Sequence, residues 1–503
     1  MKIQQFLEHH EIARNPFAEE DAQTDPVFKE HCISSTYHPA WDKVYGDPRE
    51  PATSVVFGEK GSGKTAMRLQ IARHLDEYNA QNKDQRLYVI EYDDFNPFLD
   101  RFRETISRRR RRRRADKVLA EWKLWDHIDA ILSVAVSRLV DRTLGKRTDS
   151  SPGNEITDGQ LESLDRYQTR DFMLLAAFYD QSIAGTFQDR WNGLRKRLKF
   201  STWKSYGSVV LGLLTTVVVV AILVAMLVQG QAGWLGDFWF FFLAVLLGGW
   251  MPWCWRFWHC FCHARSVIRR MRVGNHTTFP LCRVLRKFTS SELAAQPIPN
   301  KDSTDDRYEM LMKFQGIIES FGFTGIVVLV DRVDEPYLIN GSADLMKALI
   351  WPMLDNKFLK HPGLGVKMML PIELTRFIDR EDRDFFQRAR LDKQNMISSF
   401  EWTGEALCDV ANARIRACSP ETVKTDLFDL IQESISESRV LDSFRSLRVP
   451  RHMFKFMYRL LVAHCNAHTE QNPEWKISGQ TFESTLALYL RDQDAFDRGM
   501  GAG

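Results

Sequence analysis

Residues 209–228 read VVLGLLTTVVVVAILVAMLV, twenty consecutive positions without a charged side chain. At about 1.5 Å per residue, a helix of that length covers the ~30 Å hydrocarbon thickness of a bilayer. A core helix of a soluble domain is seldom apolar on every side for so long, so this run constrains the fold more than any other. A second apolar stretch, residues 238–255, reads FWFFFLAVLLGGWMPWCW. Trp234, Trp239, Trp250, Trp253, Trp255 and Trp258 gather at its ends, as interfacial tryptophans do. The connecting QGQAGWLGD holds neither Lys nor Arg. Arg195, Lys196, Arg197, Lys199 and Lys204 precede the first run, and Arg256, Arg265, Arg269, Arg270 and Arg272 follow the second. This asymmetry predicts a transmembrane hairpin over residues 207–258, with both flanks cytoplasmic and the loop outside.

Whole-chain averages conceal that hairpin. The mean hydropathy of −0.31 excludes a chain built mainly of spans but not one with two. Hydrophobic residues at 44% and charged residues at 26% exclude collagen-like and wholly disordered classes. The net charge of +3 is also a cancellation: seven arginines at 108–114 supply +7, and the remainder is acidic by 4. The eight cysteines (Cys32, Cys254, Cys260, Cys262, Cys282, Cys408, Cys418 and Cys465) are sparse and irregularly spaced, which fits reduced intracellular thiols. The opening MKIQQFLEHHEIARNPF lacks an apolar run of about 7–15 residues, so no cleaved signal is expected there.

Residues 54–57 (SVVF) form a β-rich run, and GEKGSGKTAMRLQIARHL follows. Residues 58–65 fit G-x-x-x-x-G-K-S/T. Gly58, Gly61 and Gly63 would let the backbone curl around phosphate and take dihedrals closed to other residues. Amides at the start of the next helix would hold the anion, so Gly58, Glu59, Lys60, Gly61, Ser62, Gly63, Lys64, Thr65 and Ala66 are the expected nucleotide-binding residues. Lys64 would reach the β- and γ-phosphates, and Thr65 would offer its hydroxyl to Mg²⁺.

Residues 325–335 read GIVVLVDRVDE, an apolar run ending at Asp331. Such a run bounded by Gly and Asp fits a buried parallel strand. Asp331 would bind Mg²⁺, and Asp334 or Glu335 would polarise the attacking water. Lys64 and Asp331 must meet at one nucleotide although the apolar block separates them in sequence. An odd number of spans would leave them on opposite sides of a membrane, so the number must be even.

GEKGSGKT together with VVLVDRVDE resembles the STAND and KAP groups of P-loop NTPases, whose acidic motif runs hhhhD-x-h-D followed by an acid or Arg. A transmembrane hairpin between phosphate loop and acidic strand is the layout of KAP-type NTPases. The resemblance covers residues 50–110 and 320–460 and the hairpin's placement. In the related AAA+ proteins a catalytic Glu directly follows the Mg²⁺-binding Asp; Arg332 stands there in this chain. KAP acidic motifs end D-D-h-D-R, whereas D-R-V-D-E is closer to the NACHT end of STAND. SLRVPRHMFKFMYRLLVAH is similar to the Gly-x-Pro-Arg lid motif of these ATPases, which places Arg451 near the γ-phosphate, with Arg448 or Val449 where the Gly usually stands.

The expected architecture is thus α/β: a P-loop NTPase with a parallel sheet core, interrupted by a transmembrane hairpin, plus a helical C-terminal lid. The expected segments are an N-terminal segment 1–53, a first core half 54–110 and a helical insert 111–206. The hairpin 207–258, a returning helical segment 259–322, a second core half 323–400 and the lid 401–503 complete the chain. Further strands are expected at 86–92 and 364–370, the latter followed by Pro371, Glu373 and Arg376, for which sensor or surface-pairing roles stay open. Gly248, Gly249 and Pro252 would permit close helix packing or a kink.

The resemblance implies a membrane-anchored ATPase facing the cytoplasm (in the inner membrane if bacterial), with both termini cytoplasmic and MgATP driving a conformational or assembly switch. It also implies a role in prokaryotic defence or signalling. Two other readings stay open: a non-hydrolysing nucleotide-gated scaffold, and an oligomeric pore-forming effector. The implied partners are the lipid bilayer, further copies of the chain and another protein. The arginine run lacks interleaved aromatics, so nucleic acid is not expected, and anionic lipid or solvent is. Cys254, His259, Cys260, Cys262 and His263 lack zinc-finger spacing.

Overall fold

The computed structural model describes residues 1–34, 36–107, 114–145, 156–229, 232–294, 296–299, 301–389, 391, 395–420 and 425–497. The chain is α/β, with one five-stranded all-parallel sheet and otherwise mostly helices. The strands are β1 (Ser54–Gly58), β2 (Arg86–Tyr92), β3 (Phe323–Val330), β4 (Leu364–Pro371) and β5 (Asn395–Ile397), in the order β2-β3-β4-β1-β5. The principal helices before β3 are α1 (Lys64–Gln81), α2 (Leu124–Thr143), α3 (Arg166–Tyr179), α4 (Gly207–Val228), α5 (Ala232–Arg270) and α6 (Asp305–Ser320). After β5 come α7 (Gly404–Ala417), α8 (Glu437–Leu447), α9 (Pro450–Ala467) and α10 (Gly479–Asp497).

Two compact units result. One comprises Met1–Asn82, Ile326–Ile350 and the chain from Leu354 onward; the other comprises Lys83–Gly325 and Trp351–Met353. In the first unit β1 and β4 are buried at every position, as central parallel strands must be when both faces are covered. Lys367 breaks the apolar run of β4. Its ammonium donates to the carbonyls of Val44 (2.8 Å) and Tyr45 (3.0 Å), which end the short helix Trp41–Tyr45. Burial pushes its pKa down to about 8.

Strand β5 has no counterpart in the sequence reading. Three residues, Asn-Met-Ile, carry too little alternation to signal a strand, yet they pair with residues 54–56 of β1. Residues 1–53 are also more than a leading segment. Phe6, Leu7, Ile12, Phe17 and Val27 are buried in one core with α7, α8, α9 and α10, so the chain's beginning completes its C-terminal helical part.

In the second unit, α2 carries buried acids that each meet an arginine. Asp129 lies 3.3 Å from Arg307 of α6 and accepts the Tyr179 hydroxyl at 2.9 Å. Asp126 accepts from Arg272 Nε at 2.9 Å. Burial raises the pKa of both acids while the arginines oppose the shift, Asp126 reaching about 6. These pairs place charge in the helical interior that the apolar periodicity did not disclose.

Helices α4 and α5 are long and apolar enough to cross a membrane. Leu214, Val217, Phe241 and Leu247 are each more than half exposed, so the hairpin's apolar surface is not covered by the chain. The second helix runs without a break through Pro252, past the expected hairpin end at residue 258, and along the cationic flank to Arg270. Residues 256–270 contain no Gly or Pro to break it, and Pro252 withdraws only one main-chain donor. Packing within the hairpin is tight. A Cβ on Gly249 would meet Thr215 Oγ1 at 2.1 Å, and one on Gly212 would meet the Trp250 ring at 2.8 Å. Gly248 faces open space. Trp250 Nε1 donates to Thr216 Oγ1 at 3.0 Å, and Arg256 donates to the carbonyls of Ser205, Arg286 and Phe288. Residues 108–113 of the arginine run, 146–155 of the polar linker and 230–231 of the hairpin loop lie outside the described residues.

Candidate functional site

The loop from β1 into α1 forms the floor of a cavity of about 330 Å³ in the first unit. Gly61 and Gly63 have φ of +90° and +92°, a region L side chains seldom enter. A Cβ at Gly61 would in addition meet the Arg451 side chain at 2.5 Å. Gly58 differs from the expectation, because it ends β1 without a positive φ. There the missing Cβ makes room instead, since one would meet Ser62 Oγ at 2.6 Å and Phe400 Cβ at 2.9 Å. Gly63 caps α1 and its carbonyl accepts the Met67 N–H at 2.9 Å, so the amides of the first turn, Lys64 to Ala66, have no partner within the helix. Lys64 folds back over it and donates to the carbonyls of Gly58 (2.7 Å) and Glu59 (2.8 Å). Burial lowers the Lys64 pKa, and the carboxylates of Asp331, Asp334 and Glu373 pull it the other way.

Asp331 ends the apolar run of β3 and is 2% exposed. Desolvation raises its pKa; the Arg68 guanidinium is the strongest opposing influence, followed by the Thr65 hydroxyl and the Arg332 backbone N–H. Arg68 Nε lies 3.4 Å from Asp331 Oδ2, with both side chains nearly inaccessible. Arg68 follows Lys64 by four residues on α1, one helical turn, which brings it to the same face. That spacing is visible in the sequence, but a second cation after GKT carries no motif of its own. Asp331 Oδ2 has its ion pair with Arg68 but no hydrogen bond, and the carboxyl group meets the Thr65 hydroxyl. A hydroxyl and a carboxylate side by side, one oxygen without a hydrogen bond, form a donor set that fits Mg²⁺, which takes few protein oxygens and completes its shell with water and phosphate.

Arg332, next in sequence, has φ +58°. Its guanidinium lies 3.6 Å from Glu335 and 4.0 Å from Asp21. The Glu335 pKa is raised by burial and lowered by Arg332. Arg451 is the second residue of α9, after Pro450, and its backbone N–H donates to Gly61 O at 3.3 Å. Arg448 has φ +63°, so of the two candidates for the missing Gly it is Arg448 that occupies the left-handed position.

The segment after β5 makes the remaining wall. Trp402 Nε1 donates to Ser62 O at 2.7 Å. His38 stacks on Phe400 with ring centroids 3.6 Å apart, and burial drops its pKa to about 4, which leaves it neutral at pH 7.

Lys60, Gly61, Gly63, Lys64, Thr65, Ala66, Asp331, Asp334, Glu335 and Arg451 all line the cavity. Gly58, Glu59 and Ser62 shape the loop without lining it. Glu373 lines the cavity, and Arg376 lies over the Phe377 ring, 4.7 Å from its centroid. Residues that sequence reasoning passed over also contribute: Glu20, Asp21, Asp25 and His38 from the N-terminal segment, Phe400 and Trp402 after β5, and Arg414 of α7. None sits in a motif; each arrives through tertiary packing. In the second unit the His259 and His263 ring nitrogens are 3.2 Å apart, and among the described residues no group of three His, Cys, Asp or Glu is placed to hold a metal. Compared with protein-family models, with curated proteins and with solved structures, the chain finds no match.

Proposed function

We propose that this chain is a KAP-type P-loop NTPase, anchored in a membrane by α4 and α5 with its nucleotide site and both flanks of the hairpin in the cytoplasm. The carrying observation is the convergence on one cavity of the 58–65 loop, Lys64, Thr65, Asp331 and Arg451, although the hairpin separates Lys64 from Asp331 in sequence.

In this reading MgATP binds with its phosphates on the loop amides. Lys64 turns from the Gly58 and Glu59 carbonyls toward the β- and γ-phosphates. Thr65 and Asp331 would hold Mg²⁺, which neutralises charge on the phosphate oxygens. Glu335 or Asp334 orients water for in-line attack on the γ-phosphate, and Arg451 faces the charge that develops there. Hydrolysis then drives a change of conformation or assembly. Lys64→Ala abolishes ATP binding by the purified protein; unchanged affinity in that variant refutes the reading.

One observation favours a second reading, a nucleotide-gated scaffold without turnover. Arg332 stands where related ATPases carry their base and pairs with Glu335. Phosphate release separates the two: negligible and equal rates in wild type and Glu335→Gln support the scaffold.

A further inference from the structure

Two cations that line the candidate nucleotide site, Arg451 and Arg332, are paired with carboxylates of the N-terminal segment. Glu20 Oε2 lies 3.2 Å from Arg451 Nε and 3.3 Å from Lys455 Nζ on α9. Asp21 Oδ2 lies 4.0 Å from Arg332 Nη2, beside the carboxylate that ends β3. Both acids line the cavity and are nearly half exposed, at 41% and 47%.

The turn that presents them is held from elsewhere. Asp21 Oδ1 accepts the Gln23 N–H at 3.0 Å, and its carbonyl accepts the Asp25 N–H at 2.9 Å. Asp25 forms a buried pair with Arg414 of α7, whose Nε also donates to Pro16 O at 2.6 Å. The turn is therefore anchored on both sides through Arg414, by a buried pair that is costly to break and a bond to Pro16 O, while Glu20 and Asp21 make wet pairs that are cheap to exchange. A terminal phosphate offers a guanidinium three oxygens and up to two charges, against two oxygens and one charge on a carboxylate.

We propose that Glu20 and Asp21 form an anionic latch that competes with the terminal phosphate of a nucleoside triphosphate for Arg451 and Arg332. The latch rests on the nucleotide-site reading above and adds its regulation. The incoming phosphate takes the cations, and its charge repels the two released carboxylates. The turn then moves away from α9. A diphosphate lacks the competing group and leaves the latch closed.

The test is ATP and ADP binding by full-length detergent-solubilised protein, by calorimetry. Glu20→Gln/Asp21→Asn binds ATP about three- to tenfold tighter, on the scale of two exposed ion pairs removed, with ADP affinity changed less than twofold. Wild type that binds ATP, with a double variant no tighter or weaker, overturns the latch and leaves the nucleotide site standing. No binding by either protein overturns both. An equal gain for ADP also overturns the latch, since the competition would then not be with the terminal phosphate. Should the double variant fail to fold, Glu20→Gln alone, which keeps the Asp21 turn, carries the same outcomes, with an expected gain of about two- to threefold for ATP.

Discussion

Replacing Arg68 by Met keeps most of the side chain's volume and removes the cation facing Asp331. Arg68 and Asp331 are 1% and 2% exposed, respectively, so water cannot take over the lost interaction. Breaking a buried pair by deleting one partner costs about 3–5 kcal/mol, because the remaining charge stays desolvated. For a unit of roughly this size each kcal/mol lowers the melting temperature by about 2–4 °C, which predicts a fall of roughly 6–20 °C. Asp331 already has a raised pKa, and losing its strongest stabilising partner drives it further toward the neutral acid at pH 7. Adding Asp331→Asn removes the stranded charge, so the double variant recovers more than half of the loss. Thermal unfolding of detergent-solubilised wild type, both single variants and the double variant gives the coupling directly. An Arg68→Met protein that melts within a degree of wild type, or a double variant that adds the two single losses, refutes the reasoning.

Lys367 gives a pH dependence of definite sign. Its pKa is about 8 when folded against 10.5 in the free residue, so between those values the unfolded chain binds more protons and stability rises with pH. Relative to Lys367→Met, wild type gains up to about 3 kcal/mol across that window; unfolding at pH 7.5 and 10 checks it, and a falling difference contradicts it. Trp402→Phe keeps the aromatic wall but removes the donor to Ser62 O. At about 1 kcal/mol for that bond, ATP binding weakens roughly fivefold, and an unchanged dissociation constant argues against a loop-ordering role. Gly249→Ala forces a methyl into Thr215 and costs about 1–3 kcal/mol, while Gly248→Ala enters open space and costs little. Equal melting temperatures for the two variants in detergent contradict the packing of α4 on α5.

Local chemistry made much of this protein readable in advance. An uncharged run of twenty residues, a β-strand followed by GEKGSGKT, and GIVVLVD ending in an acid each carry a periodicity or composition that neighbouring residues alone produce. They identify two long apolar helices, the buried strands and the loop that curls at Gly61 and Gly63. Boundaries were less legible: nothing in the composition at residue 258 says that α5 runs on to Arg270. Three-residue β5 and the buried Lys367 were invisible because each exists only through what it meets, β1 in one case and two helix-end carbonyls in the other.

The candidate site divides in the same way. Lys64, Thr65 and Asp331 belong to segments whose residue types stand out in the sequence. Glu20, Asp21, His38, Arg68, Phe400 and Trp402 have side chains that suit many surroundings, and only packing brings them to the cavity wall or beside Asp331. The sequence by itself determined which segment curls at Gly61 and Gly63 and which helices are long and apolar enough to cross a membrane, since those are properties of contiguous residues. Which cation faces Asp331, and which carboxylates face Arg332 and Arg451, was decided only by the tertiary structure, because ion pairs between residues far apart in sequence depend on distance in space.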